Sequence, residues 1–201
     1  MESAKLYYLD VSPFARVCRA LIYDWEIPVS PERVEFPLPD SFFELNPLGQ
    51  VPVLETVGET IYPTQPIIDQ LWAMTTGANT PHYDPLADRQ MLQTIFTMGD
   101  MIVTSSQIVR SGLRPSGENL LGFDMVERHQ KRIDNVLDML EENAPNWLLY
   151  DKVSVCDYAL AAVLLYADFR RPFNWRHREK LAGIVDHIAA SDSFGRTNPR
   201  P

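Results

Sequence analysis

The chain has 201 residues and an apolar content of 45%, which suits one large or two small globular domains. Its 18 Lys and Arg against 27 Asp and Glu give a formal charge of -9, which repels phosphate backbones and argues against a nucleic-acid partner. No apolar leader follows Met1 and no run reaches the thickness of a bilayer, so we expect a cytoplasmic protein without a membrane partner.

Cysteine and histidine usage argues against disulfide and metal chemistry. Cys18 and Cys156 are the only cysteines, and both lie in helical patterns far apart in the chain. They cannot supply a disulfide framework or a cysteine zinc site, and the 4 His residues show no metal-ligand spacing, so we expect no metal. Cys18 falls on the apolar face of its helix, so we interpret it as a core residue and not as a nucleophile.

The N-terminal part of the chain predicts a small mixed sheet with helices packed on it. Its predicted elements are a strand at 6–9, a helix at 13–27, a strand at 33–36, a hairpin of strands at 53–57 and 60–62, and a helix through 67–72. Ser12 is a favoured N-cap and Pro13 suits the first helical position, so a hydroxyl lies at the start of the first helix. This order predicts an α/β domain.

Beyond residue 85 the sequence predicts only helices. Residues 77–85 carry Gly, Asn and Pro with little apolar periodicity, which is typical of a linker. Helices are predicted at 86–110, 119–143, 158–167 and 178–190, followed by a polar tail. The third helix follows a capping signature from Ser154 to Asp157 and is apolar on every side, which indicates a buried position. We therefore predict two domains, at residues 1–76 and 86–201.

Four blocks of the sequence resemble the cytosolic glutathione S-transferases. They are S-P-F-A-R at 12–16, N-P-L-G-Q-V-P-V-L at 46–54, residues 58–71 and residues 154–170. The ending at 193–199 is similar to that of many short bacterial members, so the resemblance covers nearly the whole chain. It implies a thioredoxin-like α/β N-terminal domain, an all-α C-terminal domain, glutathione as co-substrate and a homodimer.

The similarity to serine-using members implies that Ser12 donates a hydrogen bond to the glutathione thiolate. Lowering a thiol pKa from about 8.5 by roughly two requires about 2.7 kcal/mol of preferential thiolate stabilisation. A hydrogen bond to a charged group supplies about 1.5 to 3 kcal/mol, and a helix N-terminus supplies roughly 0.3 to 1 kcal/mol more. Ser12 therefore needs only to donate its proton toward the sulfur. The other interpretation is that Ser12 is a helix cap alone.

The same resemblance implies a set of residues that hold the peptide. The set consists of Phe14, Gln50, Val51, Pro52, Thr64 and Gln65. Where this chain has Val51 and Pro52, the family holds a cis proline that leaves the preceding backbone free to pair with the cysteinyl part of glutathione. Gln50 either reaches the glycine carboxylate or faces solvent in a loop. Thr64 offers a hydroxyl and a backbone N–H to the γ-glutamyl carboxylate at a helix N-terminus.

Pro63 is the largest departure from the family pattern. Family members commonly have Glu-Ser where this chain has Pro63 and Thr64. Thr64 keeps the hydroxyl, but Pro63 removes a carboxylate that normally helps to hold the γ-glutamyl amino group. Losing a charged contact of this kind costs on the order of 1.5 to 3 kcal/mol. The sequence therefore leaves the affinity for glutathione open.

The second substrate is expected in a hydrophobic pocket between the domains. The candidate lining residues are Phe14, Met98, Met101, Ile102, Ser105 and Phe169. Met and aromatic residues at helical spacing also suit a core, so packing is the other interpretation of this set.

Two functions follow from these residues. The first is a glutathione transferase that joins glutathione to a small hydrophobic electrophile, or uses it in a related thiol reaction, with a role in detoxification. The second is a catalytically silent protein of the same fold that acts as a binding or regulatory module. Ser12 and Thr64 favour the enzyme, and Pro63 favours the silent protein. Residues 12–15 contain no Cys, so we expect no dithiol redox chemistry.

Overall fold

The computed structural model describes residues 4–76, 80–111, 124–170 and 173–199. In chain order the elements are β1 (Ala4–Tyr8), α1 (Pro13–Asp24), β2 (Val29–Arg33), α2 (Phe42–Leu45), β3 (Val53–Thr56), β4 (Glu59–Ile61), α3 (Thr64–Ala73), α4 (Arg89–Arg110), α5 (Met125–Asn143), α6 (Val155–Arg170), α7 (Glu179–Ala189) and α8 (Asp192–Arg196). This confirms the predicted α/β N-terminal domain and all-helical C-terminal domain. Within the described ranges, no helix has both the length and the apolar character needed to cross a membrane.

The four strands form one mixed sheet in the order β2-β1-β3-β4. β1 is parallel to β2 and antiparallel to β3, and β3 forms the predicted hairpin with β4. A parallel pair needs a long crossover, and α1 supplies it between β1 and β2. Leu6 lies opposite Leu54, and both side chains are fully buried. α1 packs on β1 and α3 on β3, so the start of each helix lies beside the sheet.

The second strand lies earlier in the chain than predicted, at Val29–Arg33 and not at 33–36. The alternating pattern after Arg33 was misleading, since Phe36 is 80% exposed. β2 pairs with β1 from Val29 onward, and the Val34 N–H still donates to Tyr8 O at 2.9 Å. Pro31 fits because β2 is an edge strand, where a residue without an N–H can face the open side.

The C-terminal domain packs α4 against α5 and α6, and α7 packs on α6 and on α5. α6 is buried from Val155 through Leu164, as its uniformly apolar sequence predicted. The predicted residues 119–123 of the helix that became α5 lie outside the described residues. α4 begins at Arg89 and not at residue 86, because the Asp84 carboxylate accepts the N–H groups of the next turn.

Asp157 caps the start of α6, as the capping signature predicted. Its carboxylate accepts the backbone N–H of Ser154 at 2.8 Å and the Ser154 hydroxyl at 2.6 Å. It also accepts the N–H of Leu148 at 2.9 Å, from the segment before the helix. Asp157 is fully buried, so one carboxylate satisfies three donors that have little access to water.

The predicted polar tail contains a short helix, α8, that packs on α1. Phe194 is fully buried, and its carbonyl accepts from Arg16 at 2.9 Å. The Arg16 guanidinium also lies 4.7 Å from the centre of the Phe194 ring. A single buried aromatic residue among polar neighbours produces no helical periodicity, which explains why the sequence pattern did not reveal α8.

Candidate active site

A cleft of about 400 Å³ opens between the two domains. One wall is formed by the end of β1, the start of α1, the segment leading into β3 and the start of α3. The other wall is one face of α4 together with Tyr166 of α6. All of the predicted glutathione residues line this cleft, namely Ser12, Phe14, Gln50, Val51, Pro52, Thr64 and Gln65.

Ser12 is the N-cap of α1. Its backbone is extended, with φ -75° and ψ 118°, and its Oγ accepts the N–H of Ala15 at 3.2 Å. A hydroxyl that accepts a hydrogen bond keeps its own proton for donation. The two interpretations of Ser12 are therefore compatible, because capping uses the oxygen and thiolate stabilisation uses the proton.

Ser12 lies at the positive end of a helix dipole although the whole chain is acidic. The first turn of α1 has no acidic residue, and the Phe14 N–H precedes the helical ladder there. Arg16, one turn further along, is buried and forms no ion pair within the described residues. Its burial, and then the charge of Arg19, lower the pKa of Arg16 to about 10, so the guanidinium stays charged at neutral pH. The guanidinium is directed to α8, where it donates to Phe194 O, so it is the dipole of α1 that favours an anion at Ser12.

Asn46 fixes the loop that leads to Val51. Its buried amide donates to Gln50 O at 2.8 Å, and its Oδ1 accepts the N–H of Leu48 at 3.0 Å. Gly49 has φ 58°, and a Cβ there would lie 2.4 Å from the Phe43 ring, so the turn requires glycine. The Val51–Pro52 peptide bond is cis, as predicted. Sequence reasoning assigned Asn46 no role, although an Asn before Pro and Gly is a recognisable turn signal.

The start of α3 offers a second place for an anion. Pro63 is its N-cap and provides no side-chain hydrogen bond. The first intrahelical bond runs from Ile67 N to Pro63 O at 3.4 Å, so the N–H groups of Thr64 and Gln65 precede the helical ladder. Thr64 is only 7% exposed and lines the cleft. Two N–H groups and a hydroxyl therefore lie at the end of α3 where the helix dipole is positive.

The α4 residues that were predicted to line the electrophile pocket do not face the cleft. Met98, Ile102 and Ser105 are fully buried, and neither they nor Met101 and Phe169 line the cleft. These α4 side chains lie on the faces that pack toward the helical core, and Ser105 donates to Met101 O at 2.6 Å. The cleft face of α4 instead carries Gln93, Phe96, Asp100, Val103, Thr104 and Gln107. These positions recur at helical spacing, so a second stripe in the same sequence could have identified them.

Phe14 lies on the first wall of the cleft, and its ring contacts the second wall. Its ring packs edge to face on Phe96 of α4, with the ring centres 5.9 Å apart. A Cβ at Gly99 would lie 3.1 Å from Phe14 Cε1 and 2.9 Å from Val163 Cγ2. The missing side chain at Gly99 therefore lets α4 pack closely on α6 and leaves room for the Phe14 ring.

The two cysteines take no part in this site. Cys18 and Cys156 are both fully buried, which confirms Cys18 as a core residue. Burial raises the pKa of each thiol well above its ordinary value, so neither forms a thiolate readily.

Comparisons with known proteins identify the family. The model of the glutathione S-transferase N-terminal domain matches residues 6–75, and that of the C-terminal domain matches residues 125–190. The uncharacterized GST-like protein YibF of Escherichia coli (strain K12) is 30% identical over 161 residues, which cover 78% of each chain.

Solved structures of two glutathione transferases have the same fold as this chain. A glutathione S-transferase from Methylobacillus flagellatus KT, crystallised with glutathione, is 24% identical with a TM-score of 0.84, covering 98% of this chain and 100% of that one. A glutathione transferase family member from Pseudomonas fluorescens Pf-5, with bound glutathione, is 24% identical with a TM-score of 0.77, covering 99% of this chain and 100% of that one. The two domain matches and the 30% identical relative show that the chain belongs to the glutathione S-transferase family.

Proposed function

We propose that this protein is a glutathione transferase that binds glutathione in the cleft and uses Ser12 to stabilise its thiolate. The observation that carries the proposal is the geometry of Ser12, whose Oγ accepts the Ala15 N–H and whose proton is left for a ligand in the cleft. The solved relatives that bind glutathione support the same ligand. Glutathione is the co-substrate in this proposal.

The chemistry requires a negative sulfur next to Ser12. The thiol proton leaves to solvent, and Ser12 donates its own proton as a hydrogen bond to the sulfur. The thiolate then attacks an electrophilic carbon, a C–S bond forms, and the leaving group departs with its electron pair. The positive end of the α1 dipole favours the same anion.

The rest of the peptide fits the remaining polar groups of the first wall. The γ-glutamyl carboxylate lies at the start of α3, against Thr64 and Gln65. The cysteinyl backbone pairs with Val51, and the glycine carboxylate lies toward Gln50. Phe14 and Pro52 supply the apolar surface beside the sulfur.

Calorimetric titration with glutathione tests the proposal. We expect saturable binding below about 10 mM, a weak affinity because Pro63 supplies no carboxylate for the γ-glutamyl amino group. Turnover is then followed with small aromatic halides as electrophiles. Absence of binding at that concentration overturns the proposal. Binding without turnover of any electrophile favours the silent binding protein, which the loss of an acid at position 63 would suit.

Replacing Thr64 by Val is expected to weaken glutathione binding roughly tenfold, because the isosteric change removes one hydroxyl donor to a carboxylate. The change is measured as the calorimetric Kd. Thr60→Val in β4 is the matched control, since it makes the same substitution at a residue that does not line the cleft. An unchanged Kd in Thr64→Val would remove this hydroxyl from the binding site.

Three broader features belong to the proposal. The family resemblance supports a homodimer and a role in detoxification, and the composition of the chain supports a cytoplasmic location. The domain division at 1–76, with a linker at 77–85 and a helical domain at 86–201, rests on composition and element order. Residues 77–79 of that linker lie outside the described residues.

A further inference from the structure

The α4 wall of the cleft carries a polar stripe. Gln93, Asp100, Thr104 and Gln107 recur at intervals of one or two helical turns and all line the cleft. Phe96 and Val103 form an apolar stripe beside them. The second half of the cleft therefore offers a surface that is both apolar and polar, which differs from a purely hydrophobic pocket.

Asp100 is the charged group of this surface. Among the described residues that line the cleft, it is the only one that carries a charge at neutral pH. It directly follows Gly99, which lies against the Phe14 ring, and Asp100 and Phe14 both line the cleft.

The carboxylate of Asp100 has no compensating partner. Within the described part of the chain it makes neither a hydrogen bond nor an ion pair, unlike Asp10 or Asp168, which pair with arginines. The Asp100 side chain is exposed to the open cleft, and partial desolvation by the neighbouring atoms still raises the pKa of its carboxyl group. A cation that enters the cleft can therefore reach this carboxylate and pair with it.

We propose that Asp100 is a specificity-determining residue that selects electrophiles carrying a cationic group on a small apolar body. The apolar body packs against Phe14, Phe96 and Val103, and the cation lies at Asp100. This inference rests on the proposed glutathione transfer, because it concerns the second substrate of that reaction. No basic side chain lines the described part of the cleft, so an anionic electrophile would meet repulsion from both Asp100 and the thiolate.

Two bimane reagents test the inference because they differ in charge and share one reaction. Monobromobimane is neutral, and monobromotrimethylammoniobimane carries a fixed positive charge. In both, the glutathione sulfur displaces bromide, the C–Br bond breaks, and fluorescence rises. The enzyme's preference is the value of kcat/KM for the cationic reagent divided by that for the neutral reagent. This ratio is then divided by the ratio of the second-order rate constants with which free glutathione reacts with the two reagents.

We expect the normalised ratio of the wild-type protein to exceed one and to fall roughly fivefold to tenfold in Asp100→Asn. Asp100→Glu keeps the charge and should keep most of the preference. Glu142→Gln makes the same change in net charge at an exposed position on α5 and should leave the ratio unchanged.

The outcomes separate this inference from the proposed function. If the enzyme accelerates the neutral reagent but the wild-type ratio is one or lower, the inference is wrong and the glutathione transferase stands. An equal ratio in wild type and Asp100→Asn also overturns it. If glutathione neither binds nor reacts with either reagent, the proposed function itself fails. The wild-type ratio decides the question even if Asp100→Asn does not fold.

Discussion

Replacing Ser12 by Ala is expected to raise the pKa of enzyme-bound glutathione by about two, toward its value of about 8.5 in solution. The hydroxyl proton is the one side-chain donor that α1 directs into the cleft at its start, and a hydrogen bond to a charged sulfur is worth about 1.5 to 3 kcal/mol. The measurement is ultraviolet titration of thiolate absorbance in the binary complex.

Turnover should fall less than the pKa change alone suggests. With a pKa near 6.5 most of the sulfur is ionised at pH 7, and near 8.5 only about 3% is, so the reactive fraction drops about 25-fold. A less stabilised thiolate is more nucleophilic, which recovers about 6-fold to 10-fold over two pKa units. We therefore expect kcat/KM at pH 7 to fall only about 2.5-fold to 4-fold, and its rising limb to move to higher pH.

Two further substitutions separate the donor role of Ser12 from the cap. Ser12→Ala also loses the N-cap and about 1 kcal/mol of stability, whereas Ser12→Gly loses only a few tenths. Ser12→Thr keeps both functions. If both Ala and Gly raise the thiol pKa, the hydroxyl is the donor. If Ala lowers the free energy of unfolding while the thiol pKa stays the same, Ser12 is a cap alone.

Elements with strong local signals were predictable from the sequence. α1 begins at a Ser-Pro pair, the hairpin turns at Gly58, and α6 is apolar on every side. Each of these signals depends on residues that are close in the chain, so no knowledge of long-range packing is needed to use them. Of the residues that line the first wall of the cleft, Ser12 shows such a signal as a helix cap, whereas the others were predicted from the family resemblance.

The second wall depends on long-range packing and was therefore not predictable. Two stripes of α4 show helical periodicity, one through Met98 and Ile102 and one through Phe96 and Asp100. The packing of α5 and α6 decides which stripe is buried, and those helices lie far along the chain. Similarly, the pairing of β2 with β1 determined where the second strand lies, against the local alternation after Arg33.

Replacing Asp157 by Ala is expected to lower the free energy of unfolding by about 3 to 6 kcal/mol. The carboxylate accepts from Ser154 and from Leu148 in a fully buried setting, so these donors lose their partner unless a water enters the void that the substitution leaves. Each buried donor left without a partner costs about 1 to 3 kcal/mol, and a typical domain has only about 5 to 15 kcal/mol in total. Urea denaturation followed by far-ultraviolet circular dichroism measures the loss.

Asp157→Asn is the matched variant, because it keeps the size of the side chain and one acceptor oxygen while placing an NH₂ group where the other oxygen was. It should lose about 1 to 3 kcal/mol, less than Ala, since one of the two backbone N–H groups stays satisfied. Asp151→Ala, at an exposed position shortly before α6, should stay within about 0.5 kcal/mol of the wild type. An Asp157→Ala variant as stable as Asp151→Ala would mean that water reaches these donors, and that α6 starts without help from the buried carboxylate.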